Sequence, residues 1–297
     1  MGAETVAILS PGEMGHAIGR VLGARGCRVI TSLAGRSPRT VELAGAAGIE
    51  DVGSLDELVR QADVVMSVTT SAAAPGVAAA VAERHGRRER ALLFVECNAL
   101  APQTTRLISR PVERAGARVV DVGIVGGPPT LEASPRFYAS GPDADALMPL
   151  RERGLDVRPI GGQIGQASGL KMCYAALTKG LSALGTELLL AAERMGLSEP
   201  LFAELASSQA GQLKWLEGSV PGMPPKARRW VSEMLEIAAT LEGLGLSPGY
   251  HRAASDLFGW VGQTELGQER PESRDRSRTL REVIAGLSSA RQTPARG

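Results

Sequence analysis

Apolar residues follow two different rhythms along this chain. In the first half they come in short unbroken runs: Thr5-Val6-Ala7-Ile8-Leu9, Cys27-Arg28-Val29-Ile30, Asp63 to Val68, Ala91 to Glu96, Arg118 to Asp121, and Phe137 to Ser140. Runs of this length predict strands buried on both faces. Helix starts fall between them. Ser37-Pro38 sets a capping hydroxyl before a proline suited to the first helical position, and Ser54-Leu55-Asp56-Glu57 resembles a capping box. Strands alternating with helices imply right-handed crossovers and a mainly parallel, doubly wound sheet.

After Gly161-Gly162 the rhythm becomes helical. It predicts helices over Gly165 to Met195, Glu199 to Leu216, Lys226 to Leu244, Gly249 to Val261 and Leu280 to Leu287, with no strand among them. The polar run Gln268 to Arg276 interrupts this pattern and reads as loosely ordered. The expected fold is α/β: an N-terminal doubly wound domain over residues 1–163, then an all-α domain over 164–297.

Composition removes several classes of function. Of 297 residues, 43% are hydrophobic and 22% charged, and 33 basic against 32 acidic residues leave a net charge of +1. No overall field draws the chain to nucleic acid or to an acidic membrane. No run approaches the roughly 20 apolar residues of a membrane span, and Met1-Gly2-Ala3-Glu4-Thr5 lacks the basic start of a signal peptide. The expected location is the cytoplasm. Cys27, Cys97 and Cys173 match no zinc spacing or disulfide framework and read as small apolar fillers in a reducing compartment. His16, His85 and His251 are too scattered to suggest a metal site.

The first strand runs into Ser10-Pro11-Gly12-Glu13-Met14-Gly15, with Gly19 one turn on. This approximates the dinucleotide-binding Rossmann fingerprint, with Gly12 where the backbone approaches a pyrophosphate and Gly15 where helix packs on strand. Ser10 stands where the fingerprint has its first glycine. A plain tight turn is the simpler alternative, but the turn follows a strand and opens a helix whose N–H groups suit a phosphate. NAD-binding domains usually place an acid about 20 residues past the glycines, to hold the ribose hydroxyls. Between Ile30 and Val41 there is none, and Arg36, Ser37 and Arg39 offer partners for a 2′-phosphate instead. The expected cofactor is therefore NADP(H); the simpler alternative is a solvated loop with two ordinary arginines.

Gly12-Glu13-Met14-Gly15 resembles the Gly-x-Met-Gly turn of the β-hydroxyacid dehydrogenases, relatives of 6-phosphogluconate dehydrogenase and the imine reductases. Three more segments follow in the family's order. Asn98-Ala99-Leu100-Ala101-Pro102-Gln103-Thr104 resembles the segment beside the nicotinamide, Asp121-Val122-Gly123-Ile124-Val125-Gly126-Gly127 the substrate loop, and Gly165 to Lys171 the start of the interdomain helix. The resemblance spans essentially the whole chain. It implies cofactor contacts from Ser10, Pro11, Gly12, Glu13, Met14, Val68, Thr69 and Asn98, and substrate contacts from Gly123, Val125, Gly126 and Gly127. It makes Lys171 the catalytic residue, an ammonium able to protonate a developing alkoxide or amine. Lys171 lies in the apolar stretch Ala167 to Leu177 and not on a charged face.

The departures are specific. Ala175 replaces the family's Asn four residues beyond the lysine, Val125 replaces Ser, and Gly123 replaces Pro. Tyr174 brings a phenol one turn from Lys171 and joins it as a catalytic candidate. Trp230 and Met234, spaced helically with Glu233 and Ile237, read either as core or as a substrate wall. Tyr250 and His251 follow a Pro-Gly turn that could face the cleft, and Glu96 could reach a ribose or cap a turn. The resemblance implies an NADP(H)-dependent oxidoreductase acting on a small carbonyl or alcohol, with imine reduction as the enzymatic alternative. A non-catalytic dinucleotide-binding protein is the alternative of another class. Relatives of this kind pair through the helical half, which implies a homodimer.

Overall fold

The computed structural model describes residues 4–86 and 91–290. The described chain divides into two compact units, one ending at Tyr174 and one starting at Ala175. The first contains β1 (Thr5–Leu9), α1 (Glu13–Ala24), β2 (Arg28–Thr31), α2 (Pro38–Ala46), β3 (Glu50–Asp51), α3 (Leu55–Gln61), β4 (Val64–Ser67), α4 (Ala74–His85) and β5 (Leu93–Glu96). It continues through α5 (Pro102–Arg114), β6 (Arg118–Val125), β7 (Arg136–Ser140), α6 (Met148–Glu152) and β8 (Asp156–Gly161). The helix α7 (Gln166–Arg194) begins in this unit and carries the chain into the next.

The eight strands form one sheet in the order β3-β2-β1-β4-β5-β6-β7-β8. Every pair is parallel except β6 with β7. The first six strands thus have the doubly wound order whose chain reversal lies between β1 and β4, the usual place for a dinucleotide. Alternation along β1 explains its unbroken apolar run. Val6 and Ile8 enter one core with Ile18 and Leu22 of α1, while Ala7 and Leu9 enter another with Leu58, Val81, Ile108 and Val112.

The Ser37 cap forms as the sequence implies: Ser37 accepts from the Thr40 N–H with Pro38 in the first turn. At Ser54 half of the expected box forms: Ser54 accepts from the Glu57 N–H at 3.1 Å, while the Glu57 carboxylate turns to Arg60 and Gln61. Three expectations need correction. The strand expected to end at Asp121 runs on to Val125, because residues 121–125 pair antiparallel with 140–136 of β7; most of the expected substrate loop is therefore sheet. β8 was not anticipated: its Arg158 and Pro159 suit a sheet edge, where a missing N–H is tolerated. The helix expected over Glu199 to Leu216 is two helices that break at Gln209.

The second unit is helical. It contains most of α7, then α8 (Ser198–Ser208), α9 (Ala210–Ser219), α10 (Ala227–Glu242), α11 (Gly249–Val261), α12 (Glu265–Gln268) and α13 (Leu280–Ser289). α10 and α11 pack on each other, and Met234, Ile237, Phe258 and Val261 of these helices are essentially inaccessible. Trp230 adds an edge-to-face contact on Phe258 at 5.2 Å. Past the polar run, α13 has a full capping box between Thr279 and Glu282 and buries Leu280, Val283, Ile284 and Leu287. No helix among the described residues is long and apolar enough to cross a membrane.

Candidate active site at the carboxyl end of the sheet

Where β1 ends, Ser10 takes a left-handed backbone (φ 62°), the only described non-glycine residue to do so. Such a conformation costs roughly 1–2 kcal/mol for a residue with a Cβ. It directs the Ser10 carbonyl to the Gly12 N–H at 2.7 Å, closing the turn around buried Pro11. The glycines then divide their work. A Cβ on Gly15 would lie 2.8 Å from the Ser10 carbonyl oxygen, and one on Gly19 would lie 2.5 Å from Ile49 Cδ1, so both allow close packing of α1. A Cβ on Gly12 would meet nothing closer than 4.0 Å. Gly12 begins α1 with no side-chain cap, so open space lies over the positive end of a 12-residue helix. Glu13 and Met14 in its first turn are partly exposed, and His16 Nδ1 bonds the Gly12 carbonyl at 2.7 Å. These residues fit a bound pyrophosphate.

The loop after β2 is also built. Thr31 Oγ1 donates to the Ile8 carbonyl at 2.8 Å, tying β2 to β1. Arg36 is exposed and Arg39 half-buried, and Ser37 Oγ is engaged by the Thr40 N–H and hydroxyl. An acid missing from the local sequence arrives through pairing: Asp51 stands opposite Thr31 in the β2–β3 register. Its Oδ1 accepts from the N–H groups of Leu33 (3.0 Å) and Gly53 (2.9 Å), so it braces the loop. Nothing between Ile30 and Val41 could have signalled it.

Buried polar side chains gather at the level where β1, β4 and β5 end. Register places Leu9, Ser67, Glu96, Asp121 and Ser140 in one row across five strands. The four polar members are fully buried. Glu96 Oε1 accepts from the backbone and side-chain amides of Asn98, so Glu96 caps a turn. Asn98 Nδ2 also donates to Ser67 Oγ at 2.9 Å, and its Oδ1 accepts from the Thr69 N–H at 2.6 Å. Buried Asn98 therefore ties β4 to β5, with Val68 and Thr69 half-buried on the connecting rim. Burial pushes the Glu96 carboxyl up to about 8, the Asn98 amides oppose this, and the adjacent Asp121 adds to it. Glu96 Oε2 has no partner.

Asp121 anchors the start of α7, accepting from the N–H groups of Gly165 (2.9 Å) and Ser168 (3.0 Å). Two residues on, a Cβ at Gly123 would lie 2.5 Å from the Ala167 carbonyl oxygen and 3.1 Å from Lys171 Cβ. The missing side chain at Gly123 lets α7 lie on the strand and brings Lys171 against its backbone. Gly123 is two residues past the row where β1, β4 and β5 end, so the Lys171 Cβ stands beside β6 past the ends of those three strands, toward the ligand-binding side of an open α/β sheet. Val125 is buried, whereas Gly126 and Gly127 are exposed and Gly126 has a left-handed φ of 132°. Tyr174 is half-exposed.

In the helical unit, Met234 is fully buried and Trp230 partly so. Lys179 forms a buried ion pair with Glu233, which also receives Arg229 at 3.2 Å, and the Lys179 ammonium lies 5.4 Å from the Trp230 ring centroid. Burial lowers the Lys179 pKa and Glu233 opposes the shift. Tyr250 donates to the Gly180 carbonyl at 2.6 Å, and buried His251 is held below its ordinary pKa by desolvation. No cluster among the described residues could hold a metal ion.

A doubly wound sheet, an uncapped glycine turn at its reversal point and a lysine past the ends of β1, β4 and β5 define a dinucleotide-binding oxidoreductase architecture. Residues 5–149 match the NAD-binding domain of 6-phosphogluconate dehydrogenase, and residues 192–261 match a domain of unknown function (DUF1932). The chain belongs to the superfamily of the β-hydroxyacid and 6-phosphogluconate dehydrogenases. It is 31% identical to the conserved protein MTH1747, of unknown function and structurally similar to 3-hydroxyacid dehydrogenases. That match covers 87% of this chain and 96% of the other, with a TM-score of 0.64. An uncharacterised 28.5 kDa protein of Methanothermus fervidus is 27% identical over 231 residues, 77% of this chain and 88% of the relative. The 3-hydroxyisobutyrate dehydrogenase of Mycobacterium tuberculosis shares the fold at 18% identity and a TM-score of 0.70, over 96% of this chain and 99% of its own.

Proposed function

We propose that this protein is an NADP(H)-dependent oxidoreductase that interconverts a small carbonyl compound and its alcohol, with Lys171 as the proton-transfer residue. The observation that carries this reading is the close approach of Lys171 Cβ to Gly123, two residues past the row where β1, β4 and β5 end. Gly12 and the first turn of α1 would hold the pyrophosphate, and Arg36 and Arg39 a ribose 2′-phosphate. When bound, the nicotinamide supplies or accepts the hydride. Lys171 donates a proton to the carbonyl oxygen as negative charge develops there and recovers it in the reverse direction. The exposed N–H groups of Gly126 and Gly127 orient the substrate where the family's serine hydroxyl is replaced by Val125. Tyr174, one turn along α7, offers a phenol to the same substrate.

The test is a parallel fluorescence titration with NADPH and NADH, followed by a panel of aldehydes, keto acids and cyclic imines. NADPH should bind more tightly, and replacing both Arg36 and Arg39 by Ala should weaken it at least roughly tenfold while sparing NADH. Lys171→Ala should abolish turnover and keep NADPH affinity. Turnover confined to the cyclic imines would replace carbonyl reduction by imine reduction. Nucleotide binding without turnover of any panel member would favour a non-catalytic role.

We also propose that the protein is a homodimer through its helical half. Tyr174, Leu177, Leu181 and Leu184 form an exposed apolar stripe along α7, more than a solvated helix face normally carries. A monomer by light scattering at micromolar concentration would remove this proposal.

A further inference from the structure

A helix leaves its first N–H groups without intrahelical partners, and they are usually met by the side chain just before it. Before α7 that residue is Gly165, which has none. Two strands take its place. Asp121 Oδ2 of β6 accepts from the Gly165 and Ser168 N–H groups, and Ser140 Oγ of β7 accepts from the Ala167 N–H at 2.9 Å. These side chains are also linked to one another. Ser140 Oγ donates to Asp121 Oδ2 at 3.0 Å, Ser168 Oγ donates to Asp121 Oδ1 at 2.6 Å, and Thr105 Oγ1 pairs with Ser168 Oγ at 2.8 Å. All four side chains are buried.

This is more than a cap requires. A serine at the helix start would contribute about 1 kcal/mol at no desolvation penalty, whereas a buried carboxylate needs its full set of donors to be tolerated. Asp121 receives four, and they act on one contact between helix and strand. Asp121 and Gly123 lie on the same face of β6, two residues apart. Ser168 and Lys171 lie on the same face of α7, three residues apart. Asp121 with Ser168 and Gly123 with Lys171 are thus successive rungs of one helix-on-strand contact. Fixing the first rung fixes the second.

We propose that Asp121, acting with Ser140 and Ser168, is the positioning residue of this site and sets where the Lys171 ammonium stands. The consequence for turnover rests on Lys171 being the proton-transfer residue; the geometric effect on Lys171 does not. Displacing a reacting group by about 1 Å can cost on the order of 100-fold in rate. Asp121→Asn turns an amide group toward donors that need an acceptor, and Ser140→Ala removes the link to Ala167 together with one of the four donors to Asp121.

The chain has four lysines, Lys171, Lys179, Lys214 and Lys226, so ¹³C-dimethylated protein gives a short set of NMR signals for pH titration. In both Asp121→Asn and Ser140→Ala the Lys171 signal should change position and titration midpoint, while the other three stay as in the wild type. Val283→Ala, a core truncation in α13, should lower stability and leave Lys171 unmoved. Should Asp121→Asn fail to fold, Ser140→Ala carries the measurement alone. A Lys171 signal and midpoint identical to wild type in the folded variants would overturn the proposal. In parallel, kcat should fall on the order of 100-fold in Asp121→Asn with KM for NADPH little changed. If Lys171→Ala keeps full turnover while the NMR effect is present, the catalytic reading of Lys171 fails and the positioning role stands.

Discussion

The two units bury polar groups in opposite ways. In the sheet unit, Ser67, Glu96, Asp121 and Ser140 come from four strands and stand in one register row, at the level where β4 and β5 end. Within that row only Glu96 Oε2 lacks a partner. In the helical unit an ion pair joins α7 to α10, and Ser182, Thr186, Thr240 and Ser255 bond backbone carbonyls, while Ser219 Oγ, His251 Nδ1 and Trp260 Nε1 are left unpartnered; outside the row, the sheet unit leaves His85 Nδ1 so. A sheet aligns side chains from distant parts of the chain at fixed spacing, so a polar row can be completed bond by bond. Helices meet at angles set by their apolar side chains, and polar atoms between them are satisfied less regularly. The sheet unit therefore suits groups that must stand in one place.

That contrast can be broken first in the helical unit. Glu233→Ala leaves the Lys179 ammonium buried beside only a cation and a ring, and should destabilise by about 3–5 kcal/mol. Replacing the pair together, Lys179→Met with Glu233→Leu, should recover most of it. Trp215, Trp230 and Trp260 all lie in this unit, so urea unfolding followed by tryptophan fluorescence reads it directly. An unchanged midpoint in Glu233→Ala would show the pair to be solvated.

In the sheet unit the largest effect should be a pH dependence. Glu96 ionises at 4.5 when unfolded and near 8 when folded. Between these values the unfolded chain holds fewer protons, so stability declines as pH rises through the window and levels off above it. The contribution is on the order of a few kcal/mol. Glu96→Gln should flatten the slope of melting temperature between about pH 4.5 and 8; an unaltered slope would mean the dependence originates elsewhere. Gly123→Ala forces a Cβ onto the Ala167 carbonyl and should cost about 1–3 kcal/mol through overpacking. Its Lys171 signal should shift as in the Asp121 variants. The smallest effect should be a gain: Ser10→Gly relieves the left-handed strain and should raise stability by about 1 kcal/mol in thermal unfolding.

Much of this was legible locally. The buried runs of β1 and β4, the Ser37 and Ser54 caps, the extent of α7 and the limits of α11 follow from periodicity and from residues adjacent in the chain. So does the strain at Ser10, since a turn written for glycine was filled by serine. The departures come from pairing. β3 is two polar residues, Glu50 and Asp51, with no signal of their own until β2 lies beside them. Val122 to Val125 read as loop because their pairing partner, β7, lies more than ten residues further on.

Sequence by itself determined the fold class, the glycine turn and the identity of Lys171 as the residue to ask about, because each depends on spacing within a few turns or on motif order. Only the tertiary structure decided what holds that lysine. Asp121, Ser140 and Ser168 are three ordinary polar residues in the sequence, and register brings them to one point. Register is a property of two strands at once, and no single stretch of chain encodes it.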